Sequence, residues 1–295
     1  MVYSIRITMQ ICAFLGQKQN KSVNTGRKAR RKGAMLHMKV VILAGGFGTR
    51  ITEESQFKPK PMIEISDHPI LWHIMKIYSA YGFNDFVICA GYKQHVIKEY
   101  FADYYLHNAD ITFDLATNSM EVHTSHAEPW KVTVVDTGLD TMTGGRIKRV
   151  AKYLDNEPFL LTYGDGVGNV NIAELVKFHK AHGRLCTITA VNVGQRFGVL
   201  NIGENNAITG FREKNDLDGS MINAGFMVCE PGVIDYISGD STVFEKDPIE
   251  NMAKDDQLRA FVHTGFWQCM DTQREKQKLE ELWASGKAPW KVWKD

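Results

Sequence analysis

Residues 38–75 read MKVVILAGGFGTRITEESQFKPKPMIEISDHPILWHIM. Val40 to Ala44 is an unbroken apolar run, the pattern of a short strand covered on both faces of a parallel sheet. It runs directly into Gly45, Gly46 and Gly48, and glycines after a strand permit positive φ and bring backbone N–H groups close to a phosphate. The spacing is not G-x-G-x-x-G, and no Gly-Lys-Ser or Gly-Lys-Thr comes after it, so the dinucleotide fingerprint and the Walker loop both fail. A bare Gly-Gly-x-Gly is also compatible with a tight turn. The next residues add weight: Thr49 and Arg50 come at once, and then Lys58-Pro59-Lys60-Pro61-Met62, where two prolines fix the backbone around Lys60. A planar Arg fork and a held Lys point charge are the groups that a polyphosphate requires. From Ile70 to Tyr81 the apolar period changes to that of a helix.

Outward from this stretch the same alternation continues. Strands are expected at Val40 to Ala44, Phe86 to Ala90, Ile111 to Leu115, Lys131 to Asp136, Phe159 to Tyr163, Cys186 to Val193, Gly225 to Cys229 and Leu258 to His263. Helices are expected at Ile70 to Tyr81, Val96 to Tyr105, Arg146 to Tyr153, Ile172 to His182 and Thr272 to Ala284. This is the pattern of one α/β domain over 38–295, a single Rossmann-like, mixed but mostly parallel sheet flanked by helices. Phe197 to Lys214 reads as a β-hairpin sub-element turning at Gly203 to Asn206. Trp290 and Trp293 near the end read as a docked terminus.

The 295 residues, 44% hydrophobic and 23% charged, exclude a disordered or fibrous chain. No apolar run approaches the roughly 18 to 20 residues of a membrane span, so no membrane partner is expected. Five cysteines (Cys12, Cys89, Cys186, Cys229, Cys269) form no C-x-x-C pair. Cys89, Cys186 and Cys229 sit in apolar runs as core residues, which fits a reducing cytoplasm. The histidines show no zinc spacing, and His123 and His126 read as surface residues. The net charge of +1 conceals an asymmetry: residues 1–37 carry eight Lys or Arg and no acid, leaving 27 basic against 34 acidic residues in the body, a charge of −7. Such a body has no bulk attraction for nucleic acid and must hold an anionic substrate with local cations. The basic extension faintly resembles a signal peptide (Arg6, Ile7 to Leu15) or a targeting patch (Arg27 to Lys32). The plainer expectation is that function begins at Met38 and that residues 1–37 are poorly ordered or non-native.

Asp165 ends the strand PFLLTYGDG between two glycines. A carboxylate at the carboxyl end of a central strand suits a hard divalent cation, although an Asp-Gly turn would look the same. One carboxylate holds such an ion poorly, and Asp271 in FWQCMDT offers a second; it could equally cap the helix after it.

At Leu43 to Met75 the sequence resembles the sugar-1-phosphate nucleotidyltransferase family, whose pattern is a first strand, L-x-G-G-x-G-T-R, P-K-P and an apolar helix. The resemblance covers nearly everything from Met38 on, with one departure, TEESQF in place of a Pro-Leu-Thr type of segment. It implies a GT-A-like fold and a nucleotide site built from Leu43, Ala44, Gly45, Gly46, Phe47, Gly48, Thr49 and Arg50. It also implies catalytic Arg50, Lys60 and Asp165, and Mg²⁺ held by Asp165, beside Gly166, and by Asp271. The family's sugar contacts correspond to Gly198, Glu213, Lys214 and Asn223. Where thymidylyl- and uridylyl-transferring members carry a Gln-Pro-x-x-Gly segment, this chain has VVDTGLDTMTGGRIKRV, Val134 to Val150, which resembles the cytidylyl-transferring branch. That resemblance implies CTP and glucose 1-phosphate as substrates, with Thr141, Gly145 and Arg146 contacting the nucleotide. It further implies CDP-glucose for dideoxysugar and O-antigen lipopolysaccharide biosynthesis, and a homo-oligomer, commonly a hexamer. A uridylyl- or thymidylyltransferase is the near alternative, and a catalytically silent, nucleotide-sensing subunit is the alternative of another class.

Overall fold

The strand at Lys39–Ala44 lies inside the sheet, because five consecutive apolar side chains need cover on both faces. The computed structural model describes residues 38–48, 51–192, 199–202, 208–212 and 221–294. Apart from the two-residue antiparallel pair Glu64–Ile65 and His68–Pro69, the strands in chain order are β1 (Lys39–Ala44), β2 (Asp85–Ala90), β3 (Ala109–Asp114), β4 (Ser119–Ser125), β5 (Lys131–Asp136), β6 (Phe159–Tyr163) and β7 (Gly166–Gly168). They continue with β8 (Cys186–Asn192), β9 (Val199–Ile202), β10 (Ile208–Arg212), β11 (Met221–Asn223), β12 (Met227–Cys229), β13 (Leu258–His263) and β14 (Trp267–Cys269). The helices are α1 (Thr52–Ser55), α2 (Ile70–Ser79), α3 (Gln94–His107), α4 (Thr143–Val150), α5 (Ile172–His182), α6 (Asp247–Lys254) and α7 (Gln273–Ala284).

The main sheet runs β11-β8-β12-β6-β1-β2-β5, with β13 pairing the other side of β8. β6, β1, β2 and β5 are mutually parallel, as are β8 and β13, while β12 pairs antiparallel with both β6 and β8. Side chains alternate across β1. Val40, Ile42 and Ala44 join one core with α2 and Leu175 of α5, and Val41 and Leu43 join a second with Ile147 and Val150 of α4. Each fully buried Val, Leu or Ile contributes about 1.5–3 kcal/mol, so both layers hold the sheet firmly.

The alternation expected from sequence is present, with differences that have physical causes. The segment at 111–115 forms β3, which hairpins with β4 apart from the main sheet; β4 (SMEVHTS) is rich in polar residues and escapes an apolar-run criterion. The strand expected at 225–229 is shortened to β12, because Gly225 (φ 80°) and Phe226 (φ 37°) depart from extended backbone, and β11 precedes it as a separate strand not expected from sequence. Helix α4 starts at Thr143, three residues before the expected start, and ends in a 3-10 turn at Ala151–Tyr153. Helix α6 was not expected from sequence, although Pro248 in its first turn is at a favoured helix-start position. The hairpin expected over 197–214 is the antiparallel pair β9–β10; its expected turn lies outside the described residues.

Trp290 is wholly buried, and its indole N–H donates to Nδ1 of His73 at 3.4 Å on α2, with Trp283 and Trp293 packed around that histidine. The C-terminus is docked, as its tryptophans suggested. Cys89, Cys186 and Cys229 are buried free thiols. Among the described residues no helix is long and apolar enough to cross a membrane.

Candidate active site

The site forms where parallel strands end. β1 and β6 are in register to Leu43 opposite Tyr163, so the chain leaves β1 at Gly45 beside the point where it leaves β6 at Gly164 and Asp165. Gly164 N–H donates to Leu43 O at 3.0 Å, and a Cβ on Gly164 would lie 2.9 Å from Pro61 Cγ. Glycine is required there because the Lys60 turn passes directly over it. That turn is a 3-10 segment, Lys60–Met62, entered from Pro59 in extended geometry and carrying Pro61 in its first positions. The prolines fix the turn, and the turn aims Lys60.

Lys60 Nζ meets Asp165 Oδ2 at 2.5 Å and also bonds Asp271 Oδ1, with only 11% of the lysine side chain exposed. Burial alone would depress the Lys60 ammonium, but the two carboxylates outweigh it and hold its pKa above the ordinary value. Asp271 arrives by a separate route. β14 pairs antiparallel with β7, and Met270 N–H donates to Asp165 O at 2.8 Å, which brings the two acidic residues to one place. Thr272 is the cap of α7, in a reciprocal capping box with Glu275. Glu275 also accepts from the Asp271 N–H at 2.8 Å. The cap alternative for Asp271 therefore fails, and its side chain faces Lys60.

Two carboxylates gathered on one ammonium, from elements far apart in sequence, form an oxygen donor set that fits a hard divalent ion. No cluster of three metal-ligating residues occurs among the described residues.

On the other side of Gly45 lies Arg146, 5% exposed. Its guanidinium donates to Thr137 Oγ1 (2.8 Å), Gly138 O (2.7 Å) and Leu139 O (3.1 Å). Burial lowers its pKa from the ordinary arginine value. A Cβ on Gly45 would overlap the guanidinium, and one on Gly91 would lie 2.6 Å from it and 2.7 Å from Gly45 O. Gly45 and Gly91 thus leave room for a buried cation. Gly145 lies within α4 rather than before it as expected, and the Asp240 backbone fills the space beside it, 2.5 Å from where its Cβ would be. Close packing of the Asp240 backbone favours glycine there.

A cavity of about 510 Å³ opens between these groups. From the expected set, Leu43, Ala44, Gly45, Gly46, Phe47, Gly48, Lys60, Thr141, Arg146, Asp165 and Asp271 line it. Gly166 is buried in β7 beneath Trp267, and Asn223 reaches the wall through Tyr163, whose hydroxyl it contacts at 3.2 Å. Thr49, Arg50, Gly198, Glu213 and Lys214 lie outside the described residues. Sequence reasoning passed over Tyr163, Leu139, Met142 and Thr143, which also line the cavity. Tyr163 was findable as the last residue of the strand that presents Asp165; the other three are contiguous with Thr141.

The nucleotidyl transferase family pattern matches residues 39–295. The chain is 57% identical over 257 residues to glucose-1-phosphate cytidylyltransferase from Salmonella typhi, covering 87% of this chain and 100% of that protein. It is 31% identical over 253 residues to mannose-1-phosphate guanyltransferase from Saccharomyces cerevisiae, covering 82% of this chain and 63% of that protein. The solved structure of HddC from Yersinia pseudotuberculosis superposes with a TM-score of 0.61 at 23% identity, covering 83% of this chain and 99% of that one, and so shares the fold.

Proposed function

The chain belongs to the nucleotidyl transferase family, and on that premise we propose that it transfers a cytidylyl group from CTP to α-D-glucose 1-phosphate, giving CDP-glucose and diphosphate. The observation that carries this reading is the 57% identity to a glucose-1-phosphate cytidylyltransferase along that protein's entire length.

A phosphate oxygen of the sugar attacks the α-phosphorus, and diphosphate leaves in line. The nucleophile is already an anion, so no general base is needed, and the residues' work is positioning and neutralisation of charge. Lys60, held between Asp165 and Asp271, is the cation for the α-phosphate. The backbone of Gly45 to Gly48 lies along the same cavity. By resemblance Arg50 grips the β- and γ-phosphates, Lys214 the sugar phosphate, Glu213 the sugar hydroxyls, and Gly198 leaves them room. Thr141 and Arg146 face the nucleoside, and Asn223 the hexose. Asp165 and Asp271 would hold the divalent ion, taken here as Mg²⁺, which when bound neutralises phosphate charge.

We place the activity in residues 38–295, since the relative's full length aligns with 257 residues. By its resemblance to the cytidylyl-transferring branch, we infer a cytoplasmic hexamer serving dideoxysugar and O-antigen synthesis as its setting.

The test is diphosphate release from glucose 1-phosphate with CTP, UTP, dTTP and GTP in parallel. CTP is expected to be fastest; a faster rate with another nucleotide would overturn the base assignment, and no release with any of them would favour a silent nucleotide-binding subunit.

A further inference from the structure

Glu245 is not among the residues that line the cavity, yet it grips two that do. Tyr163 Oη donates to its Oε1 at 2.6 Å, and Thr143 Oγ1 donates to its Oε2 at 2.6 Å. A carboxylate only accepts, so both hydroxyl protons are turned into Glu245 and away from the cavity. The remaining bonds run the same way. Asn223 Nδ2 donates to the Tyr163 oxygen at 3.2 Å, and the Gly225 N–H donating to Asn223 Oδ1 at 2.9 Å fixes which end of that amide points there. Phe244 N–H donates to the Thr143 oxygen at 2.9 Å.

We propose that Glu245 is a positioning residue that sets the donor–acceptor polarity of the cavity wall. With both protons taken, Tyr163 and Thr143 can act toward the cavity only as acceptors, each through the capacity left beside its bond from Asn223 or Phe244. This wall accepts hydrogen bonds from neutral hydroxyl groups and repels phosphate oxygens, which are left to the end of the cavity where Lys60 lies. The substrate is thereby oriented before any chemistry begins. The inference rests on the proposed function only in taking those hydroxyls to be a sugar's.

The test is calorimetric binding of glucose 1-phosphate and of inorganic phosphate to the full chain, without nucleotide, for the wild type, Glu245→Gln and Tyr163→Phe. Gln is isosteric but offers one acceptor and one donor group, so one hydroxyl must release its proton toward the cavity. Phe leaves the Asn223 N–H without its acceptor. Both variants are expected to bind glucose 1-phosphate about tenfold more weakly and inorganic phosphate several-fold more tightly. Opposite movement of the two ligands supports the inference. Unchanged affinities, or parallel weakening of both ligands, would overturn it, since a merely structural loss weakens both. If Glu245→Gln does not fold, Tyr163→Phe decides by the same criterion. A wild type that binds glucose 1-phosphate but does not turn over CTP would refute the proposed function alone.

Discussion

Lys60 Nζ lies 2.5 Å from Asp165 Oδ2 although 105 residues of chain separate them. The contact joins the turn after the glycine loop to the end of β6, and Asp271 closes it from the third side. Lys60→Ala removes the shared cation and leaves two carboxylates facing one another. Turnover is expected to fall at least about 100-fold with far-UV circular dichroism unchanged, and diphosphate-release kinetics check it. Near-normal activity would remove Lys60 from the mechanism.

The same residue makes a pH prediction. Its folded pKa is raised above 10.5, so its contribution to stability is fully present below pH 10.5 and is lost as pH rises through the folded value. The difference in unfolding free energy between wild type and Lys60→Met should therefore be constant from neutral pH to about 9.5, as denaturant titrations at several pH values would read.

Chelation of divalent ions is expected to abolish diphosphate release, and added Mg²⁺ to restore it. Asp271→Asn should raise the Mg²⁺ concentration needed for half-maximal rate about tenfold or more, since half of the carboxylate pair is lost. An unchanged Mg²⁺ requirement would show that Asp271 serves only to hold Lys60.

Gly91→Ala tests the crowding around Arg146. Its new Cβ would lie within 2.8 Å of the Arg146 guanidinium and the carbonyls of Gly45 and Gly138, two of which are backbone atoms that cannot turn aside. A loss of about 1–3 kcal/mol in stability and a raised KM for CTP are expected, by thermal unfolding and kinetics.

Buried His73 accepts from Trp290 at Nδ1 and donates through Nε2 to Ile65 O, so the folded protein holds it neutral. Burial depresses its pKa to about 4, against 6.5 ordinarily. A depressed histidine costs stability as pH falls through the unfolded value, and the loss is complete below the folded one. Stability should decline between pH 6.5 and 4, with a His73 share of roughly 3 kcal/mol, and His73→Phe should flatten that part of the slope.

The first strand, the glycine loop, the paired prolines around Lys60 and the position of Asp165 at a strand end were all legible in sequence, because each is written in a local pattern. Apolar runs and periodicity specify local conformation, and a motif of a few adjacent residues specifies a tight glycine turn at a strand end. The meeting of Lys60, Asp165 and Asp271 was implied by resemblance but decided by the tertiary structure, through the pairing of β14 with β7. Only the fold revealed that Gly145 makes room for Asp240 and that Glu245 takes the protons of Tyr163 and Thr143. Those are contacts between segments roughly 80 to 100 residues apart. No local spacing encodes such contacts; sheet order and close packing alone bring them together.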